Sequence, residues 1–207
     1  MTRRRRLVVR RAAHAGTWYS DDARILSNQM DDWVRRGRVL ARAKLDGKRV
    51  RAIIVPHAGF RYSGSVAGAA YAALDDGDAL TGVRRIFVLG PSHHYDTGGR
   101  CMLSGCAAYA TPLGALQVDR VACRRLQKTG LFGIMAARVD EAEHSLEMQL
   151  PFIARAIQRV RSGARTDCTI VPILVGALNA DAQKRYGQVL APHVANCENI
   201  FVVSSDF

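Results

Sequence analysis

The sequence predicts an α/β fold, a single domain on a mostly parallel central sheet flanked by helices. Four segments carry that reading: RAIIVPHAGF (51–60), RRIFVLGPSHH (84–94), CTIVPILVGAL (168–178) and NIFVVSSDF (199–207). Each runs through β-branched and apolar positions without alternation and stops at Gly, Pro, Ser or His, as strands covered on both faces do. Stretches of helical character lie between them, and alternating helices and strands define the class.

In chain order, residues 1–13, which include RRRR at positions 3–6, read as a basic tail before a domain spanning 14–207. After the first strand, PHAGFRYSGS lacks the GK[ST] ending and the GxGxxG spacing of phosphate loops. Its Gly59 and Gly64 are expected to allow a tight strand-to-helix turn. Arg61 and Tyr62, in that turn, are expected to face the cleft, where they would meet an anion or a phenol ring. GSVAGAAYAALDD (64–76) reads as a helix whose small residues permit close packing.

Beyond the second strand, CMLSGCAAYATPLGALQVD (101–119) alternates in short pieces around Thr-Pro-Leu-Gly and predicts an antiparallel hairpin added to the main sheet. VDRVACRRLQKTG (118–130) reads as a helix ending on a stop glycine, and ADAQKRYGQVLAPHV (180–194) as one capped by Asn179. The longest helix is expected over DEAEHSLEMQLPFIARAIQRVRSG (140–163), with Leu146, Leu150, Ile153 and Ile157 on one face and a kink at Pro151.

A chain of 207 residues with this apolar content supports one sizeable core. No window approaches the apolar length of a membrane span, and no signal-type apolar stretch follows the first arginines, so a soluble, cytoplasmic protein is expected. The five cysteines are an odd count with no CxxC pair and read as reduced thiols, Cys101 and Cys106 as small buried hydrophobes. A net charge of +12 suits a polyanion partner. The excess is nearly all arginine spread along the chain, however, with no RNP-like, zinc-finger or helix-turn-helix pattern, so it reads as surface charge rather than nucleic-acid binding.

Ligands of open α/β sheets bind beyond the carboxyl ends of the strands. Here His57 follows the first strand, His93 and His94 the second, and Asp206 the last. Two neutral imidazoles joined by an oxygen or sulfur ligand make a site for Fe(II), Zn(II) or Cu, which makes His57 and His93 the candidate metal ligands. The competing reading of each is a histidine that is merely hydrogen-bonded. His144, with Glu143 beside it and Glu147 one turn on, is a candidate proton carrier, although its helix is not HExxH. His94 is expected to support the turn or the pocket wall, because adjacent side chains on an extended chain point to opposite sides. His14 and His193 read as surface residues.

The motifs HAGTWY, IVPHAGFRYSG, RRIFVLGPSHH, DEAEHSLEMQLPF, TIVPILVGAL and NIFVVSSDF, in this order, resemble the MEMO family, named for a mediator of receptor-driven cell motility. The resemblance runs from about His14 to the last residue. It implies a fold similar to the class III extradiol dioxygenases, which use non-haem iron. It also implies a mononuclear iron or copper pocket with His57 and His93 as ligands, Asp206 beside them and Trp18 and Tyr62 at its border. The third ligand is expected from a C-terminal cysteine that none of the five cysteines here matches. Family members continue past SSDF, so the chain is expected to be a C-terminally incomplete piece.

Three functions compete on these grounds. One is a metal-binding, redox-related protein built on His57 and His93. A second is a non-enzymatic adaptor binding phosphorylated peptides or a signalling protein in the same pocket, lined by Trp18, Arg61, Tyr62 and His94. The third, by analogy of fold, is a ring-cleaving dioxygenase with His144, or a histidine from the absent C-terminal region, as base, which the family's cysteine ligand argues against; Asp206, beside the pocket, is the other candidate catalytic group.

Overall fold

The structure, a computed structural model, describes residues 8–45, 49–75, 79–160 and 168–206. The RRRR block, Asp76, residues 161–163 of the expected long helix and Phe207 lie outside these residues. The elements are β1 (Val9–Arg10), α1 (Ala23–Leu45), β2 (Ala52–Pro56), α2 (Phe60–Tyr71, continued by a 3-10 turn at Ala72–Leu74), β3 (Arg85–Pro91), β4 (Cys101–Ser104), β5 (Ala108–Tyr109) and β6 (Leu116–Gln117). There follow α3 (Arg120–Gln127), β7 (Gly133–Met135), α4 (Ala137–Ala142), α5 (His144–Glu147), α6 (Leu150–Arg159), β8 (Thr169–Val175), α7 (Ala180–Ala195) and β9 (Asn199–Ser205).

The four expected strands are β2, β3, β8 and β9, and they stand together in a six-stranded sheet of order β2-β9-β3-β8-β4-β7. All four are mutually parallel, while β4 runs antiparallel to β8 and β7 runs parallel to β4. Register sets where the strands end: Pro56 pairs with Ser205, Leu89 with Val203 and Pro91 with Val175, so β2, β9, β3 and β8 all finish at one level. The residues just past that level, His57, Asp206 and His93, are delivered to one edge.

β3, β8 and β9 are covered on both faces, as their unbroken apolar runs require, with Phe87 and Phe201 stacked across neighbouring strands at 4.6 Å. β2 departs from the expectation, since Ile54 is 60% exposed while Val55 is fully buried. β2 lies at the border of the sheet, and of the described helices α2 packs on it from one face.

Four further expectations are corrected. The 101–119 segment does not add one hairpin to the main sheet: β4 joins that sheet, while β5 and β6 pair in a separate three-stranded sheet with β1. The helix expected over 140–163 is three short helices. It breaks at Glu143, whose extended backbone (φ −88°, ψ 127°) lets its carboxylate accept the Ser145 N–H as a cap, and Pro151 opens α6 rather than kinking a longer helix.

Gly64 serves packing rather than a turn, because α2 already begins at Phe60. A Cβ on Gly64 would stand 2.5 Å from Trp33 Cη2, so the missing side chain lets α1 lie close on α2. The expected basic tail is partly core: β1 pairs with β5, and the Arg10 side chain is fully buried. Helix α1, which Trp33 anchors against Phe60, was not foreseen.

Cys101 and Cys106 are buried, as expected of small hydrophobes. No described helix is long and apolar enough to cross a membrane.

Candidate metal centre

His57 leaves the end of β2 and is 2% exposed. Its Nδ1 lies 2.8 Å from Ser204 Oγ. That hydroxyl gives its single hydrogen to the Ser145 carbonyl at 2.8 Å and receives the Gln149 amide at 3.0 Å, so it can only accept from His57. The imidazole is therefore the Nδ1–H tautomer, and the Nε2 lone pair faces the sheet edge. Burial holds this ring below the ordinary histidine pKa, against the pull of Asp206, so it stays neutral.

His93 follows β3 and is fixed from behind by Glu143. The carboxylate accepts His93 Nδ1–H at 2.8 Å and the His93 backbone N–H at 2.8 Å. Burial alone would lower the ring's pKa, but the hydrogen bonds and charges of Glu143 and Asp206 together outweigh it and the pKa is raised. Glu143, 2% exposed, is itself held below the usual carboxylate range, because the His93 and Ser145 amides outweigh its burial. With Nδ1 committed to Glu143, His93 leaves Nε2 toward the sheet edge, 3.5 Å from Asp206 Oδ2, with its ring centre 5.2 Å from that of His57. A carboxylate behind a ligating imidazole is the arrangement that orients metal-bound histidines.

His144, the first residue of α5, stacks on His93 with ring centroids 4.3 Å apart and stands 5.4 Å from His57. Burial pushes its pKa down to about 4, and the neighbouring His93 and His57 add to the shift, so the ring is neutral at ordinary pH. Nitrogens of His57, His93 and His144 all lie within 4.8 Å of one another, close enough together to hold a metal ion. Tetrahedral ligands on metal–nitrogen bonds of about 2.0–2.1 Å stand roughly 3.4 Å apart, so modest ring rotations close the set.

Asp206 completes the edge. Its carboxylate is 74% exposed, with Oδ1 2.9 Å from His57 Nε2 and Oδ2 3.5 Å from His93 Nε2. Despite the short distance, His57 Nε2 has no hydrogen-bond partner among the described residues, because the carboxylate does not align with it. The His57 Nε2 lone pair and the Asp206 carboxylate thus face each other as two acceptors, while His93 Nε2 lies 3.5 Å from the same carboxylate and donates to it only when its ring is charged. Two acceptors at this distance are stabilised by a cation between them, a proton or a metal ion, so the residues present fit a metal ion.

The remaining candidates are less central. Trp18, 37% exposed, lies over His144 with centroids 4.5 Å apart. Tyr62 is 77% exposed in the first turn of α2, with the Arg61 guanidinium 6.0 Å from its ring centre. The turn reaches the cluster's border through the Phe60 N–H, which donates to the Trp18 carbonyl at 2.9 Å. His94 is exposed and lines a separate cleft of about 230 Å³ with Arg138 and Leu174.

Sequence reasoning missed what stands behind the cluster. Glu143 orients His93 more closely than His144, whose Nδ1 is 3.5 Å away. Glu147 does not serve His144 at all. Its carboxylate takes Arg10 Nη1 at 2.6 Å, Tyr19 OH at 2.8 Å and both the His14 backbone N–H and Nδ1 at 2.8 Å. His14 is therefore an anchored residue edge-on to Trp18 at 5.6 Å, not a surface one. His193 is likewise half-buried against Phe87, with ring centroids 5.1 Å apart. Carboxylates on either side of His144 were the available signal, but only the fold says which partner each takes.

The fold and the cluster define an α/β protein with a histidine-lined centre at the carboxyl edge of a parallel sheet. The Memo-like protein family matches residues 10–207, and the chain belongs to that family, which is dioxygenase-like in fold. The chain is 45% identical to Protein MEMO1 of Xenopus laevis and 42% identical to Protein MEMO1 of Homo sapiens, each over 202 residues, 98% of this chain and 63% of the relative. It is 40% identical to the Protein memo-1 homolog of Caenorhabditis elegans over 202 residues, 96% of this chain and 52% of the relative. The chain thus spans somewhat under two thirds of the length of these relatives.

Proposed function

We propose that the chain holds one iron or copper ion at its carboxyl-edge cluster and serves a redox-related function. His57 and His93 are the ligands through Nε2, with His144 as third nitrogen or as a proton carrier and Asp206 beside them. The observation that carries this reading is the buried His57 Nε2, which has no hydrogen-bond partner among the described residues and lies 2.9 Å from Asp206 Oδ1. Such an ion would supply reversible one-electron chemistry at a position with open coordination sites. The chain's own residues do the rest. Ser204 and Glu143 fix the two ring tautomers, and Trp18 covers His144 against water.

Elemental analysis of the purified chain, beside His57→Ala and His93→Ala, tests the reading. Near-stoichiometric iron or copper that falls at least tenfold in both variants is expected. Absence of metal after loading under anaerobic conditions, or content unchanged by either substitution, would overturn it. The histidines would then stand as polar contacts of a pocket for a phosphorylated peptide.

A further inference from the structure

The opposite, amino edge of the sheet has a different chemistry. Arg85 begins β3 with Arg84 before it, and Arg120 begins α3, where the three enter a cleft of about 730 Å³. Asp119, whose side chain caps the amides of Val121 and Ala122, is the one acid on its walls among the described residues and holds the Arg85 Nε at 2.6 Å. Arg85 is thereby fixed in place. Arg84 meets only Glu198 among the described residues, at 3.3 Å, with the two side chains 71% and 42% exposed, a pair of little strength in water. Arg120 is exposed and makes no ion pair among the described residues.

Three arginines against one aspartate leave the described walls with two net positive charges. The field extends further: burial holds the His193 ring below its ordinary pKa, and the nearby Arg85 and Arg125 hold it lower. Beside the arginines the cleft offers one exposed apolar side chain, Val121, which is 50% exposed, while Val118 behind it is buried. A volume in the range of small-molecule pockets, an exposed apolar side chain and guanidinium groups able to grip phosphate bidentately belong together in one kind of site.

We propose that this amino-edge cleft binds a nucleoside di- or triphosphate, the phosphates held by Arg84 and Arg120 and the base laid on the exposed Val121. The site is independent of the histidine cluster, being at the other end of the same strands.

Calorimetric titration of the full chain with ATP at about physiological salt, in EDTA so that no metal bridges phosphate to the histidines, tests the proposal. Saturable one-to-one binding is expected. Arg84→Gln with Arg120→Gln should weaken it at least tenfold, while Arg35→Gln with Arg36→Gln on α1 removes the same charge and should leave it within twofold. Both target side chains are exposed, and Arg120→Gln alone, expected to weaken binding at least threefold, stands in should the pair fold poorly.

Inorganic triphosphate should bind more weakly than ATP, because it leaves Val121 uncovered. The proposal fails if ATP does not saturate, if the α1 control weakens it equally, or if triphosphate binds as tightly as ATP. Binding confined to a long oligonucleotide would also overturn it and make the edge a general polyanion surface.

Discussion

Replacing Arg10 with Met keeps the buried stem and removes the charge. Arg10 is fully buried and places its Nε 3.0 Å from Asp140 Oδ1 and its Nη1 2.6 Å from Glu147 Oε2. Further donors reach the carbonyls of Arg11, Asp140 and Glu143 at 2.7–2.9 Å. The substitution leaves two buried carboxylates with no cation, a defect of about 3–5 kcal/mol when one partner of a buried pair is removed. The orphaned carbonyls of Arg11 and Glu143 place this case near the top of that range. For a domain of this size, about 4–5 kcal/mol corresponds to a fall in Tm of roughly 8–20 °C.

The pH dependence has a definite sign. Burial alone would raise the Glu147 pKa, but Arg10 and His14 outweigh it and hold the carboxyl below its ordinary range. Its contribution to stability is thus present above the unfolded value near 4.5 and lost as pH falls through the folded one. Without Arg10, burial instead drives Glu147 upward and Asp140 further upward, so both take protons more readily as pH falls, a trend to be read between measurements at about pH 7.5 and about pH 5. The deficit of Arg10→Met should therefore shrink toward the lower pH. Urea denaturation followed by circular dichroism at both pH values measures it. A loss below about 1 kcal/mol, or one independent of pH, would refute the reading of Arg10 as the central cation of the fold.

Three other outcomes are expected. Glu143→Gln should lower metal affinity by roughly 10–100-fold and abolish the strongly shifted His93 Nδ1–H resonance in proton NMR; retention of both would remove Glu143 as the group that sets the tautomer. Gly64→Ala should destabilise by about 1–2 kcal/mol in thermal unfolding, since overpacking against the rigid Trp33 indole exceeds the gain in helix propensity; unchanged stability would mean that α1 shifts freely. In metal-free protein the His144 pKa near 4 makes stability fall as pH drops from about 6.5 toward 4, by about 1 kcal/mol at about pH 5 once solvent screening at the open edge is allowed for. His144→Gln should flatten that slope in denaturation curves at the same two pH values, and an unaltered slope would assign the proton to another group.

Some of this protein was legible in its sequence by itself. The apolar runs ending at Pro91, Val175 and Ser205 determined the parallel strands β3, β8 and β9, because a segment covered on both faces has no room for polar positions, while the run ending at Pro56 gave a strand covered on one face only. The rule that ligands gather at carboxyl ends then located His57, His93 and Asp206. Local capping chemistry was equally visible, as Asn179 accepting the Ala182 N–H at 2.9 Å shows.

The tertiary structure decided which partner each group takes. Arg10 and His14 read as tail and surface because their carboxylate, Glu147, lies more than 130 residues away along the chain. A similar distance hid the His57–Ser204 contact that sets the ring tautomer. The helix break at Glu143 was hidden for a related reason: periodicity reports a buried face, whereas the extended backbone at Glu143 is set by donors on β1 and after β3 that converge on it. Backbone preference and apolar pattern are local properties of a chain, but the partner of a buried charge is chosen by whatever the fold brings within about 3 Å of it.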